Sequence, residues 1–137
     1  MKPRAIVAII LLAVVAAFGV TRLLALKPVL QTNRARWLMN QRQWDEARAQ
    51  LEKVRRSAPD YERVTRLMAV VYLNTRNFER ARQEVEGLPD SGFRDFLRGV
   101  VAYGTNRDEE AERAFLAAQK RLQDLDPWME SLLRIAT

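Results

Sequence analysis

Seventeen residues near the start of this chain pass without a charge: Ala5 to Thr21 reads AIVAIILLAVVAAFGVT. Arg22 interrupts the run, and Leu23, Leu24, Ala25 and Leu26 extend it. Coiled into a helix rising about 1.5 Å per residue, Ala5 to Leu26 reaches about 33 Å. The hydrocarbon core of a bilayer is about 30 Å thick, so one such helix crosses it. Arg22 falls near one end, where a long side chain reaches the headgroups.

A cleaved signal peptide is the competing reading. Met1-Lys2-Pro3-Arg4 makes a basic leader, and Ala17-Phe18-Gly19 offers small residues for cleavage. The apolar stretch outruns the about 7–15 residues of such a leader, so a retained anchor over residues 1–27 is expected. Small residues recur on it at every fourth position, Ala13, Ala17, Thr21 and Ala25, a stripe on which another membrane helix can pack closely. Lys2 and Arg4 on one flank nearly balance Arg22, Lys27, Arg34 and Arg36 on the other. The short basic N-terminal tail tips the expectation towards a single pass through a bacterial inner membrane with the soluble part periplasmic. A cytoplasmic soluble part is the alternative.

The chain beyond the anchor is short, 110 residues from Pro28 to Thr137, and contains neither cysteine nor histidine. That removes Ser-His-Asp and Cys-His nucleophiles, ordinary zinc sites, thiolate chemistry and disulfides. No glycine-rich phosphate loop is present. No cofactor, no metal and no enzymatic activity are expected.

Strand patterns are missing from Pro28 onwards, and Arg, Ala, Leu, Glu and Gln fill the helical positions. Three segments align. Trp44-Asp45-Glu46-Ala47 is followed by Leu51 and Val54; Phe78-Glu79-Arg80-Ala81 by Val85 and Leu88; Asp108-Glu109-Glu110-Ala111 by Phe115 and Ala118. Apolar residues four and seven places after a small one form a single stripe, and the alanine lets a paired helix approach. Polar turns at 40–43, 74–77 and 104–107 join each stripe to an apolar helical stretch upstream. A lone hairpin of this kind cannot bury its face, so hairpins must stack.

The pattern resembles the tetratricopeptide repeat family. The 34-residue step from Ala47 to Ala81, the aromatic-x-x-Ala turn, the run Ala111, Phe115, Ala118, and Pro59 closing the first unit carry the likeness, with Gly99 and Tyr72 at positions where that family often has those residues. The expected fold is therefore all-α: an N-terminal transmembrane helix, about three antiparallel helical hairpins in a solenoid, and a short capping helix. The repeats fall at about 28–61, 62–91 and 92–127, with the cap at 128–137. The second is four residues short, ending in Gly87-Leu88-Pro89-Asp90-Ser91-Gly92.

The resemblance implies partner binding along the first helix of each hairpin. By phase, the candidates are Arg36, Met39 and Asn40 with Thr32; then Arg63, Arg66, Val70, Leu73 and Asn74; then Phe93, Phe96 and Tyr103 with Val100. Trp37, Trp44 and Trp128 are read as core or junction residues. Asp108 is read as the cap of a helix whose first turn gathers Glu109, Glu110 and Glu112.

The net charge of +6 is lopsided: +4 over residues 1–30, +4 over 31–59 and −2 over the remainder. Basic residues beside a span are drawn to anionic headgroups, whereas a nucleic-acid binder needs a basic stripe along the whole array. The expected partners are other proteins of a membrane complex and membrane lipid, with no nucleic acid. The expected role is that of an accessory subunit, scaffold or assembly factor. Self-association into a scaffold, and secretion after signal cleavage, are the alternatives.

Overall fold

The computed structural model describes residues 3–121. The expected cap over 128–137, with Trp128, lies outside the described residues. Within them the chain is all-helical, as expected: α1 (Pro3–Asn40), α2 (Trp44–Ser57), α3 (Glu62–Asn74), α4 (Phe78–Glu86), α5 (Gly92–Gly104) and α6 (Asp108–Arg121). It divides at Asp60/Tyr61 into two compact units, α1–α2 and α3–α6.

In the first unit α1 continues for 38 residues, through Pro28, into the first hairpin. From Ile6 it is long and apolar enough to cross a membrane, with a mean hydropathy of 2.6 over its most apolar window, none of which is buried. Farther along, Thr32, Ala35, Leu38 and Met39 are buried on one side. They face α2, whose Ala47, Leu51 and Val54 are fully buried at the predicted four- and three-residue steps. Thr32 is polar and wholly sequestered, and its hydroxyl donates to the carbonyls of Pro28 (2.9 Å) and Val29 (2.8 Å). That local bond removes the penalty of a buried, unpaired hydroxyl. Trp37 is 58% exposed rather than in the core. It stands two residues from Ala35, about 200° round the helix, so burying Ala35 turns Trp37 outwards.

In the second unit, α3 and α5 are the most buried helices. Val64, Leu67, Met68, Ala69, Val71 and Tyr72 of α3 are under 5% exposed, as are Leu97, Val101 and Ala102 of α5. α4 is only nine residues long, against 14 for α2 and α6, which is where the shortened second repeat lost its chain. Leu88 comes just after α4 and is buried.

The three hairpin turns are the same object at atomic detail. Arg42, Arg76 and Asn106 each adopt a left-handed backbone, with φ of 58°, 57° and 57°. In each, the next residue's N–H reaches back to the helix before it: Gln43 to Leu38 O (2.9 Å), Asn77 to Tyr72 O (2.8 Å) and Arg107 to Ala102 O (2.9 Å). The left-handed residue itself donates to Met39, Leu73 or Tyr103. These paired bonds satisfy the last open carbonyls of the first helix. The second helix then starts at once, with Ala47, Ala81 and Ala111 donating to the carbonyls of Gln43, Asn77 and Arg107. α6 thus begins at Asp108, which is its first helical residue rather than its cap. Asp108, Glu109 and Glu110 occupy the first turn, where carboxylates complement the helix dipole.

Candidate interaction groove

Close packing of helix pairs sets the geometry of the second unit. A Cβ built on Gly104 would fall 2.2 Å from the Phe78 ring, and one on Gly99 would fall 2.5 Å from the Phe115 ring. Both glycines therefore admit an aromatic from another helix where no larger residue fits. Phe115 in turn leans on Phe96, with ring centroids 5.8 Å apart and planes tilted by 47°.

This packing leaves an open cavity of about 660 Å³ walled by α3 and α5. Six of the residues predicted by phase line it together: Val70, Leu73, Asn74, Phe96, Val100 and Tyr103. Arg76 and Asn106 of the two turns close one end. The wall is mixed. Leu73 and Phe96 are half-buried and Tyr103 is 69% exposed, so apolar surface is on offer. Asn74 is exposed and donates to Val70 O at 2.8 Å, which fixes its amide at the rim. An amide so placed carries both an acceptor and a further donor for a peptide backbone.

Arg63, Arg66 and Phe93 do not line this cavity. Arg66 pairs with Glu62, its Nε donating at 2.7 Å, and its guanidinium lies 5.5 Å above the Phe93 ring. Phe93 is only 4% exposed and serves the core beneath that cation. Arg36, Met39 and Asn40 belong to the first unit, where Met39 is buried and Asn40 exposed. Ala13, Ala17, Thr21 and Ala25 all lie on α1, and their side chains are exposed. The Thr21 hydroxyl donates to Phe18 O at 2.9 Å.

A second opening, of about 700 Å³, lies between α5 and α6 and shares Phe96 and Tyr103 with the first. Its other walls include Ala111, Phe115 and Leu116, so it is almost wholly apolar.

One cluster was not foreseen from the sequence. Glu86 accepts from Arg94 (2.9 Å) and Arg98 (2.7 Å), while Arg121 donates to Asp90 (2.9 and 3.0 Å) and to Asp95 (2.9 Å). The hydrogen bond from Arg98, against a smaller cost of burial and aided by Arg94, pulls the Glu86 carboxyl from 4.5 to about 2. Asp90 is lowered chiefly by its bond from Arg121. The cluster ties the last turn of α6 to α5 and to the α4–α5 connection. The acids and bases at 86–98 are visible in the sequence, but their link to Arg121 is not. Among the described residues, no three carboxylates converge as a metal site would require.

Comparison with known proteins adds the family. Residues 38–99 match the family model described as Tetratricopeptide repeat. That segment is a stretch of tetratricopeptide repeats. It runs from the end of α1, through α2, α3 and α4, into α5, and the third hairpin beyond it shares the same turn geometry. None of the curated proteins and none of the solved structures compared with the chain matches it. Tetratricopeptide repeats are generally protein-interaction modules rather than enzymes.

Proposed function

We propose that this is a non-enzymatic, single-pass membrane protein whose repeats bind another protein of a bacterial membrane complex, as an accessory subunit, scaffold or assembly factor. The observation that carries the reading is α1. An unburied apolar helix of membrane-spanning length runs without a break into the first helical hairpin, whose residues from 38 onwards fall within the tetratricopeptide match. A partner held there is held beside the bilayer. The cavity between α3 and α5 supplies the second support: its mixed wall sets Leu73, Phe96 and Tyr103 beside Asn74, Arg76 and Asn106, which suits a peptide offering both apolar side chains and backbone polar groups. The soluble part lies in the periplasm on this reading.

The experiment is purification of the full chain, tagged at its C-terminus, from native membranes in mild detergent, with identification of the proteins that travel with it. A few membrane proteins in fixed ratio support the reading. Leu73→Asp with Tyr103→Asp then loses the partner while retaining helicity, and Ala17→Leu weakens the complex if the small-residue stripe packs against it. Recovery of the chain alone, or only with copies of itself, refutes the accessory role. Recovery from the soluble fraction, lacking its first residues, refutes the anchor.

A further inference from the structure

We infer that the C-terminal end of α2 binds the phosphates of anionic phospholipids, with Lys53 and Arg56 standing beside Lys27 of α1 in the headgroup layer. This rests on the anchored reading above.

The two ends of α2 stand at different heights along α1. The three-residue turn at 41–43 folds α2 back along α1, and burial runs the length of the pair, from Leu38 and Met39 near the turn to Thr32 farther along. Pro28 and Val29 are half-buried, extending the sheltered face another turn. α2 has 14 residues, about 21 Å of helix, so its last turn stands level with residues 27 to 30 of α1.

The apolar run also fixes where the membrane ends. It closes at Leu26, and a bilayer's polar layer extends about 5–7 Å beyond its hydrocarbon core. That thickness covers about four residues of helix, again 27 to 30. The end of α2 therefore lies within the headgroups rather than above them.

Charge is arranged to match. α2 is polarised along its length, with Asp45 and Glu46 in its first turn, remote from the membrane, and Arg55 and Arg56 in its last. Glu52, the acid nearest the basic end of the helix, has Arg48 within 4.0 Å. Lys27, Lys53 and Arg56 are exposed. Each cation held at a charged bilayer surface strengthens association by about fivefold. Folding thus brings to the membrane a set of charges that lies some thirty residues beyond the span in sequence.

The test uses the full chain, which has no native cysteine, so that Ser57→Cys and Gln41→Cys each accept one fluorescent label. Each labelled protein is reconstituted in phosphatidylcholine vesicles carrying headgroup nitroxides and increasing phosphatidylglycerol. The label at 57 is expected to be quenched and the label at 41 spared. Quenching at 57 should rise with phosphatidylglycerol and fall with added salt. Lys53→Gln with Arg56→Gln should shift that titration by more than about tenfold, two charges at about fivefold each. Free inorganic phosphate at matched ionic strength should not reproduce the effect of phosphatidylglycerol. Equal quenching at the two positions, or an unchanged titration in the double variant with helicity intact, overturns the inference and leaves the anchor standing. Failure of the unmodified chain to float with vesicles refutes the anchor itself, and this inference with it.

Discussion

One methyl group added at Gly99 measures how closely α5 and α6 approach. The new Cβ would lie 2.5 and 2.6 Å from two carbons of the Phe115 ring and 3.0 Å from a third. Two terms oppose each other. Replacing glycine by alanine inside a helix stabilises it by about 1 kcal/mol. Forcing a methyl into an occupied space costs about 1–3 kcal/mol. The ring has somewhere to go, because an open cavity of about 700 Å³ adjoins it, but moving it also breaks the contact with Phe96. Gly99→Ala is therefore expected to destabilise by about 1 kcal/mol net. Removing the ring should reverse the sign. Phe115→Ala alone costs about 2 kcal/mol, less than for a fully buried phenylalanine because Phe115 is only half-buried. In that background Gly99→Ala should stabilise by about 1 kcal/mol, leaving a coupling of about 2 kcal/mol between the two sites. Urea unfolding of the four proteins in mild detergent, monitored by far-ultraviolet circular dichroism, gives all three numbers. Stabilisation by Gly99→Ala in both backgrounds refutes the reasoning, since helix separation would then not be set by this contact.

The turns and the charge cluster carry further expectations. Arg42 holds a left-handed backbone that disfavours side chains, so Arg42→Gly should raise the unfolding free energy by about 1 kcal/mol in the same urea assay. Glu86 has its folded pKa lowered from 4.5 to about 2, so its ion pairs stabilise fully above pH 4.5 and lose that contribution as the pH falls towards 2. Because the Glu86 side chain is half exposed, solvent screening limits the effect to about 1 kcal/mol. Unfolding midpoints for Glu86→Gln and the unmodified chain should therefore differ at pH 5 and converge near pH 2.

The repeat itself was legible because it is written in side-chain size. Ala47, Ala81 and Ala111 sit where a paired helix approaches, and each is buried. The turns were legible only as polar gaps. Their left-handed positions are filled by Arg42, Arg76 and Asn106, and arginine carries none of the signal that glycine would have given. Phase along a helix also resolves a face only to within one 100° step. It grouped Leu73, Asn74 and Tyr103 on an open wall, but it drew in Met39 and Phe93, whose side chains are under 9% exposed and which do not line that wall. Arg121 was out of reach altogether, since nothing in local pattern joins it to Asp90 and Asp95, more than twenty residues earlier.

Pro28 shows how one position reconciles two demands. The sequence marks Lys27-Pro28 as a junction, because proline in a helix interior costs about 3 kcal/mol and removes one backbone hydrogen bond. α1 nonetheless continues through it. Part of the reason is packing: Pro28 and Val29 are half-sheltered, and the buried Thr32 hydroxyl bonds to both of their carbonyls. The rest is location. The carbonyl deprived of its donor is that of Leu24, four residues earlier, and helix carbonyls point towards the C-terminal end. On the anchored reading that oxygen faces the headgroup layer, where water and lipid groups can donate to it. Two turns deeper, the same proline would leave an orphaned carbonyl in hydrocarbon, at a cost of several kcal/mol. On that reading, its place at residue 28 lets one helix serve both as the membrane span and as the first helix of the hairpin.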